Sequence, residues 1–117
     1  MTVILYGIKN CDTVRAARKW LDAENIEYQF HDVREQALSE DQLNQWLDKL
    51  GDKLINKRST TWKQLDEADR EQLSDRATKL LLAHPTLMKR PLLDTGKELH
   101  LGFKDADYQR IFTHHTL

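Results

Sequence analysis

The stretch TVILYGIKNCDTVRAARKWLDAENIEYQFHDV, residues 2–33, decides the fold. Thr2 to Tyr6 is a β-rich apolar run ended by Gly7. A continuous apolar run fits a strand buried on both faces, which favours a parallel or mixed sheet covered by helices. Beyond Cys11, Val14, Ala17 and Leu21 recur at three- and four-residue intervals with Trp20 beside them, the spacing of one helix face. Asn10 or Asp12 is placed to cap that helix and Asn25 to end it. Ile26, Tyr28 and Phe30 then alternate with polar residues in the period of two that predicts a second strand. Strand, helix and strand within about thirty residues make a βαβ unit, right-handed if its strands are parallel.

Outward from this unit the pattern changes. Ser39 with Gln42 forms a capping-box signature. Leu43, Trp46, Leu47 and Leu50 follow as an apolar stripe, and Gly51 stands where a helix C-terminus favours it. A short helical turn is expected around Trp62 and Leu65, and a further helix from about Ser74 to Leu82, before Pro85. Residues 39–89 therefore read as a helical insertion. The tail returns to β structure: RPLLD, a TGK turn and ELHLGF predict a hairpin. A last helix is expected over Asp105 to Phe112, with THHTL as a frayed tail. The 117 residues suit one domain. The order βαβ, helical insertion, ββα, with a mixed four-stranded sheet, is that of an α/β, thioredoxin-like fold.

Composition narrows the function. With 18 basic and 19 acidic residues the net charge is −1, which argues against a phosphate-binding face and hence against nucleic acid. No 18-residue apolar run exists, and the opening apolar stretch is too short for a signal peptide, so a cytoplasmic protein without membrane contact is expected. The single cysteine allows no internal disulfide, consistent with a reducing compartment. The histidines at 31, 84, 100, 114 and 115 show no pair at helical metal spacing, and no metal is expected.

A lone cysteine in a soluble domain is usually a packing residue. Cys11, however, falls between the first strand and first helix, flanked by Asn10 and Asp12, with Lys9 and Arg15 within four residues. A helix N-terminus carries about half a positive charge and unpaired N–H groups, which favour a thiolate over a thiol. Cys11 is therefore expected to be reactive.

The segments LYGIKNCDTVRAARKWL, KRSTTWKQL, HPTLMKRPLL and LHLGF, in that order, resemble the arsenate reductase (ArsC)/Spx family, and most closely its YffB-type branch. The resemblance covers nearly the whole chain and implies the thioredoxin-like fold with a helical insertion. It places the family's nucleophile on Cys11. Arsenate reductases of this type carry a His-x₃-Cys-x₃-Arg pattern; Cys11 and Arg15 match it, but Gly7 stands in place of the histidine. Of the family's three oxyanion arginines, one matches Arg90. The first falls on Asn56, with Arg58 two residues along, and the third near Leu101 or Gly102. An arsenate dianion needs several fixed donors to offset its desolvation, so weak or no arsenate reduction is expected. The resemblance also implies a cis Arg90–Pro91 bond, which leaves the preceding backbone N–H and C=O open to an extended thiol substrate.

The implied activity is glutathione-dependent thiol–disulfide exchange, with Cys11 as nucleophile and Arg90 stabilising the thiolate. Many redox domains place a second cysteine three residues on; Val14 occupies that position, so a monothiol cycle follows. No bound cofactor is expected, glutathione being a co-substrate, with glutaredoxin a further candidate partner. Lys9, Asn10 and Thr13 are candidates to line the glutathione site together with Pro91, and Arg15 to support the loop. A monomer is expected. The alternatives are a true arsenate reductase, an Spx-like regulator binding RNA polymerase, with Trp46 and Trp62 as candidate contacts, and a fold retained without activity.

Overall fold

The computed structural model describes residues 2–71 and 73–115. Its elements are β1 (Ile4–Gly7), α1 (Asp12–Ala23), β2 (Gln29–Asp32), α2 (Glu40–Leu50), α3 (Thr60–Gln64), α4 (Glu67–Glu71), α5 (Leu73–Ala83), β3 (Leu92–Asp94), β4 (Leu99–Leu101) and α6 (Asp105–His115), with 3-10 turns at Gly51–Leu54 and Pro85–Leu87. They divide into two compact units: residues 33–89, and the segments on either side of them.

The outer unit is a mixed four-stranded sheet in the order β2-β1-β3-β4. β1 pairs parallel with β2, from Ile4 opposite Gln29 to Gly7 opposite Asp32. It pairs antiparallel with β3, which pairs antiparallel with β4. Strand, helix, strand and then hairpin, helix is the thioredoxin-like arrangement that the order of the sequence predicts.

One face of this sheet carries the core. Leu5 and Leu93 pack with Val14, Ala17 and Leu21 of α1 and with Tyr108, Ile111 and Phe112 of α6. The three α1 residues are the apolar stripe predicted from spacing, and all are fully buried. Gly7 lets α1 come down onto β1: a Cβ built there would lie 2.7 Å from Val14 Cγ2, closer than real side chains approach. Tyr108 meets Trp20 and Phe103 edge-on, at ring separations of 5.6 and 4.7 Å, the aromatic geometry favoured by their quadrupoles. The Trp20 indole N–H donates to Asp105 Oδ1 at 3.0 Å, tying α1 to the start of α6.

Three local expectations are corrected. Neither Asn10 nor Asp12 caps α1; Cys11 itself is the N-cap residue, and no side-chain capping bond is made there. The second strand starts at Gln29, not Ile26, because residues 25 and 26 close the helix. Asn25, at φ 56°, donates its N–H to the Asp22 carbonyl, and Ile26 donates to the Leu21 carbonyl. That is a Schellman closure, with asparagine tolerating the left-handed position. The last helix runs on through His115, so the predicted tail is helical at its start; Thr116 and Leu117 lie outside the described residues.

The inner unit spans Val33–Lys89. Ser39 Oγ accepts the Gln42 N–H at 3.1 Å, and Gly51 at φ 59° ends α2 with its N–H on the Leu47 carbonyl. Leu43 and Trp46 of α2 and Leu80 and Leu81 of α5 are buried. Ile55 bridges Met88, while the Asn56 N–H donates to Leu87 and the Lys89 N–H to Leu54, clasping the two ends of this unit together. Trp46 is 1% exposed, which removes it as a free docking anchor.

Two predictions follow from this packing. Gly7→Ala costs about 1–3 kcal/mol, because the new methyl must displace Val14. In a double-mutant cycle with Val14→Ala the combined loss falls short of the sum by at least about 0.5 kcal/mol. Additive urea midpoints would contradict the contact. Burial raises the Tyr108 phenol well above its ordinary value, and burial followed by the Asp94 carboxylate raises Tyr6. The folded chain therefore keeps protons that the unfolded chain releases above about pH 10, so stability is intact below that pH and declines beyond it. The Tyr108 hydroxyl has no hydrogen-bond partner among the described residues. Tyr108→Phe should thus leave the melting temperature at pH 7 unchanged or raised and flatten its alkaline decline.

Candidate functional site

The candidate site lies at the carboxyl end of β1. There the strand stops at Gly7, and Ile8, Lys9 and Asn10 lead to Cys11 at the head of α1. Cys11 has extended backbone angles, φ −106° and ψ 124°, and its carbonyl accepts the Arg15 N–H at 2.9 Å, the first bond of the helix. An N-cap residue in this conformation carries its side chain beside the first turn, where the N–H groups are unpaired. The thiol is half-buried and is the only one in the chain.

The strands on either side of β1 bring two more groups to this end. Asp32, paired with Gly7, is a buried carboxylate whose Oδ2 accepts the Lys9 backbone N–H at 3.2 Å. On the other side the β1–β3 register runs from Ile4 opposite Asp94 to Tyr6 opposite Leu92, and Pro91 is the next residue beyond it. The Arg90–Pro91 bond is cis, as the resemblance implies, and the Pro91 carbonyl accepts the Gly102 N–H at 2.9 Å. Pro91 is buried and Arg90 half-buried.

The predicted site residues thus fall into distinct groups. Cys11, Arg90 and Pro91 belong to the same end of the sheet. Lys9, Asn10 and Thr13 are exposed around the start of α1. Arg15 bonds Asp12 Oδ1 at 3.0 Å on the outer side of the first turn, with both side chains largely in solvent. Such a pair contributes little to stability. Asn56 and Arg58 belong to the inner unit, where Asn56 Oδ1 accepts the Arg58 N–H at 3.1 Å and Ser59 Oγ caps α3 through the Trp62 N–H. Asn56 is therefore engaged in shaping its own turn.

The sequence gives Asp32 little prominence, because an acidic residue at the end of a predicted strand reads as a solvated terminus. The available signal is its position at the close of an alternating strand that must pair with the thiol-bearing loop. Among the described residues no group of three or more His, Cys, Asp or Glu is placed to hold a metal, and no helix is long and apolar enough to cross a membrane.

A thioredoxin-like sheet with its thiol at the first strand–helix junction and a cis-proline just before the neighbouring strand defines a class of thiol-bearing proteins. The chain belongs to the ArsC family, whose model matches residues 6–111. It is 48% identical over 114 residues to an uncharacterized protein of Haemophilus influenzae, covering 94% of this chain and 98% of that one. A solved structure of a YffB protein superimposes with a TM-score of 0.88 at 39% identity, covering 93% of this chain and 97% of its own. The global transcriptional regulator Spx of Lactiplantibacillus plantarum is 30% identical over 112 residues, covering 92% of this chain and 84% of that protein.

Proposed function

We propose that the protein is a glutathione-dependent thiol–disulfide oxidoreductase that works with one cysteine of its own. The observation that carries this is the chain's single thiol standing at the N-cap of α1, at the strand end flanked by the cis-proline. Cys11 thiolate attacks the glutathione-side sulfur of a mixed disulfide. The substrate sulfur departs with the bonding electron pair and takes a proton from water, leaving Cys11 bonded to glutathione. A second glutathione thiolate attacks that bond, releasing oxidised glutathione and regenerating Cys11. In sum, one glutathione is consumed per substrate thiol released.

Val14 supports the monothiol form of the cycle. It occupies the position of a resolving cysteine and is fully buried against Gly7. Arg90, from the segment that carries the cis-proline, is assigned to stabilise the thiolate, and exposed Lys9, Asn10 and Thr13 to meet the glutathione carboxylates and backbone. Similarity to Spx proteins favours one second reading, a regulator that binds RNA polymerase without turnover.

Incubation with oxidised glutathione should add one glutathionyl group to the intact protein by mass spectrometry, and none to Cys11→Ser. Arg90→Ala should slow adduct formation about tenfold, the scale of one lost charge-assisted contact. Reduced glutathione should remove the adduct and sustain turnover of a mixed-disulfide substrate, with arsenate turned over more slowly or not at all. Absence of any adduct, together with stoichiometric capture of RNA polymerase, would replace the enzyme by the regulator.

A further inference from the structure

We propose that Asp32 is a positioning residue for the Cys11 thiol, acting through the backbone N–H of Lys9. The proposal rests on Cys11 being the nucleophile. Asp32 and Thr95 are the buried polar residues of the described chain. Thr95 is accounted for by its turn, where Oγ1 accepts the Lys97 and Glu98 N–H groups. Asp32, 7% exposed, places a carboxylate oxygen on a main-chain amide 23 residues away. Burying a carboxylate is costly unless its oxygens are engaged, so this contact has a reason to persist only where it fixes something.

What it fixes is the three-residue link between strand and nucleophile. Gly7 is set at one end of the link by its register with Asp32 and by the Val14 methyls. Cys11 is set at the other by the helical bond from Arg15. Lys9 is the middle residue, and Asp32 holds its backbone amide. With that amide released, the link can rotate and the N-cap orientation of Cys11 is no longer determined. The negative charge of Asp32 opposes a thiolate close by, so a helpful Asp32 acts by geometry rather than by charge. An asparagine keeps the oxygen acceptor and drops the charge, whereas a leucine removes both.

The test uses the full chain with Asp32→Asn and Asp32→Leu. It reads the rate of Cys11 alkylation by iodoacetamide at pH 6.5, hydrogen exchange of the Lys9 amide, and the melting temperature. Asp32→Leu should react at least about fivefold more slowly than wild type, the scale of a displaced reacting group, and lose protection at Lys9. Asp32→Asn should keep that protection and react at least as fast as wild type. Wild-type rates in Asp32→Leu, or an Asp32→Asn as slow as Asp32→Leu despite a protected Lys9 amide, would overturn the proposal. Should Asp32→Leu fail to fold, an unprotected Lys9 amide in wild type overturns it alone. Failure of the enzyme reading is separate: wild-type Cys11 would then react no faster than free glutathione, whatever the state of Lys9.

Discussion

The end of β1 and the first turn of α1 meet where Gly7 leaves room for the Val14 side chain, and the outer unit is built around that contact. A β-carbon at position 7 would fall 2.7 Å from Val14 Cγ2, so strand and helix reach their separation only through glycine. Val14 then leads the buried stripe that continues through Ala17 and Leu21 onto Leu5, Leu93 and the aromatic cluster around Tyr108. Two departures from related sequence patterns thereby become one. The histidine that arsenate reductases place at position 7, and the second cysteine of a Cys-x-x-Cys pair at position 14, are replaced here by residues that occupy each other's space.

This packing bears on chemistry because the next three residues are a tether of fixed length. The tether leaves a strand whose end lies beside Asp32 and next to the cis-proline segment, and it arrives at a helix whose N-cap is the thiol. A thiol so placed has N–H groups before it, and Val14 offers no sulfur behind it. On the proposed reading, the redox chemistry of this site is exchange with an outside thiol. The cation set follows the same logic. Arg90 comes from the segment that leads into β3, whereas Arg15 is paired outward with Asp12, and Asn56 supplies an acceptor to its own turn.

Much of this was legible in the residues. The α1 stripe, the Ser39 cap with Gly51 closing the same helix, and the hairpin around Gly96 are local signals, and local physics suffices to read them. The mixed sheet followed from element order, and the cis Arg90–Pro91 bond from resemblance alone. What escaped depended on partners distant in sequence or on competing local bonds. Ile26 alternates like a strand residue, but its N–H is taken by the Leu21 carbonyl. Asn10 and Asp12 are good capping types, yet the cap position falls on the cysteine between them. Asp32 looks like a solvated strand end until the register sets it beside Gly7 and its carboxylate meets the Lys9 amide. Trp46 and Trp62 could not be told apart by spacing; one is buried, and the other lies half-exposed beneath the Lys57 ammonium at 5.8 Å.

The central claim is that the fold makes Cys11 a nucleophile at neutral pH. The most direct measurement is the rate of Cys11 alkylation by iodoacetamide at pH 7 in the wild-type protein, set against free glutathione under the same conditions. Cys11 should react at least about tenfold faster than glutathione, as expected of a thiol held at a helix N-terminus. A rate equal to that of glutathione would contradict it.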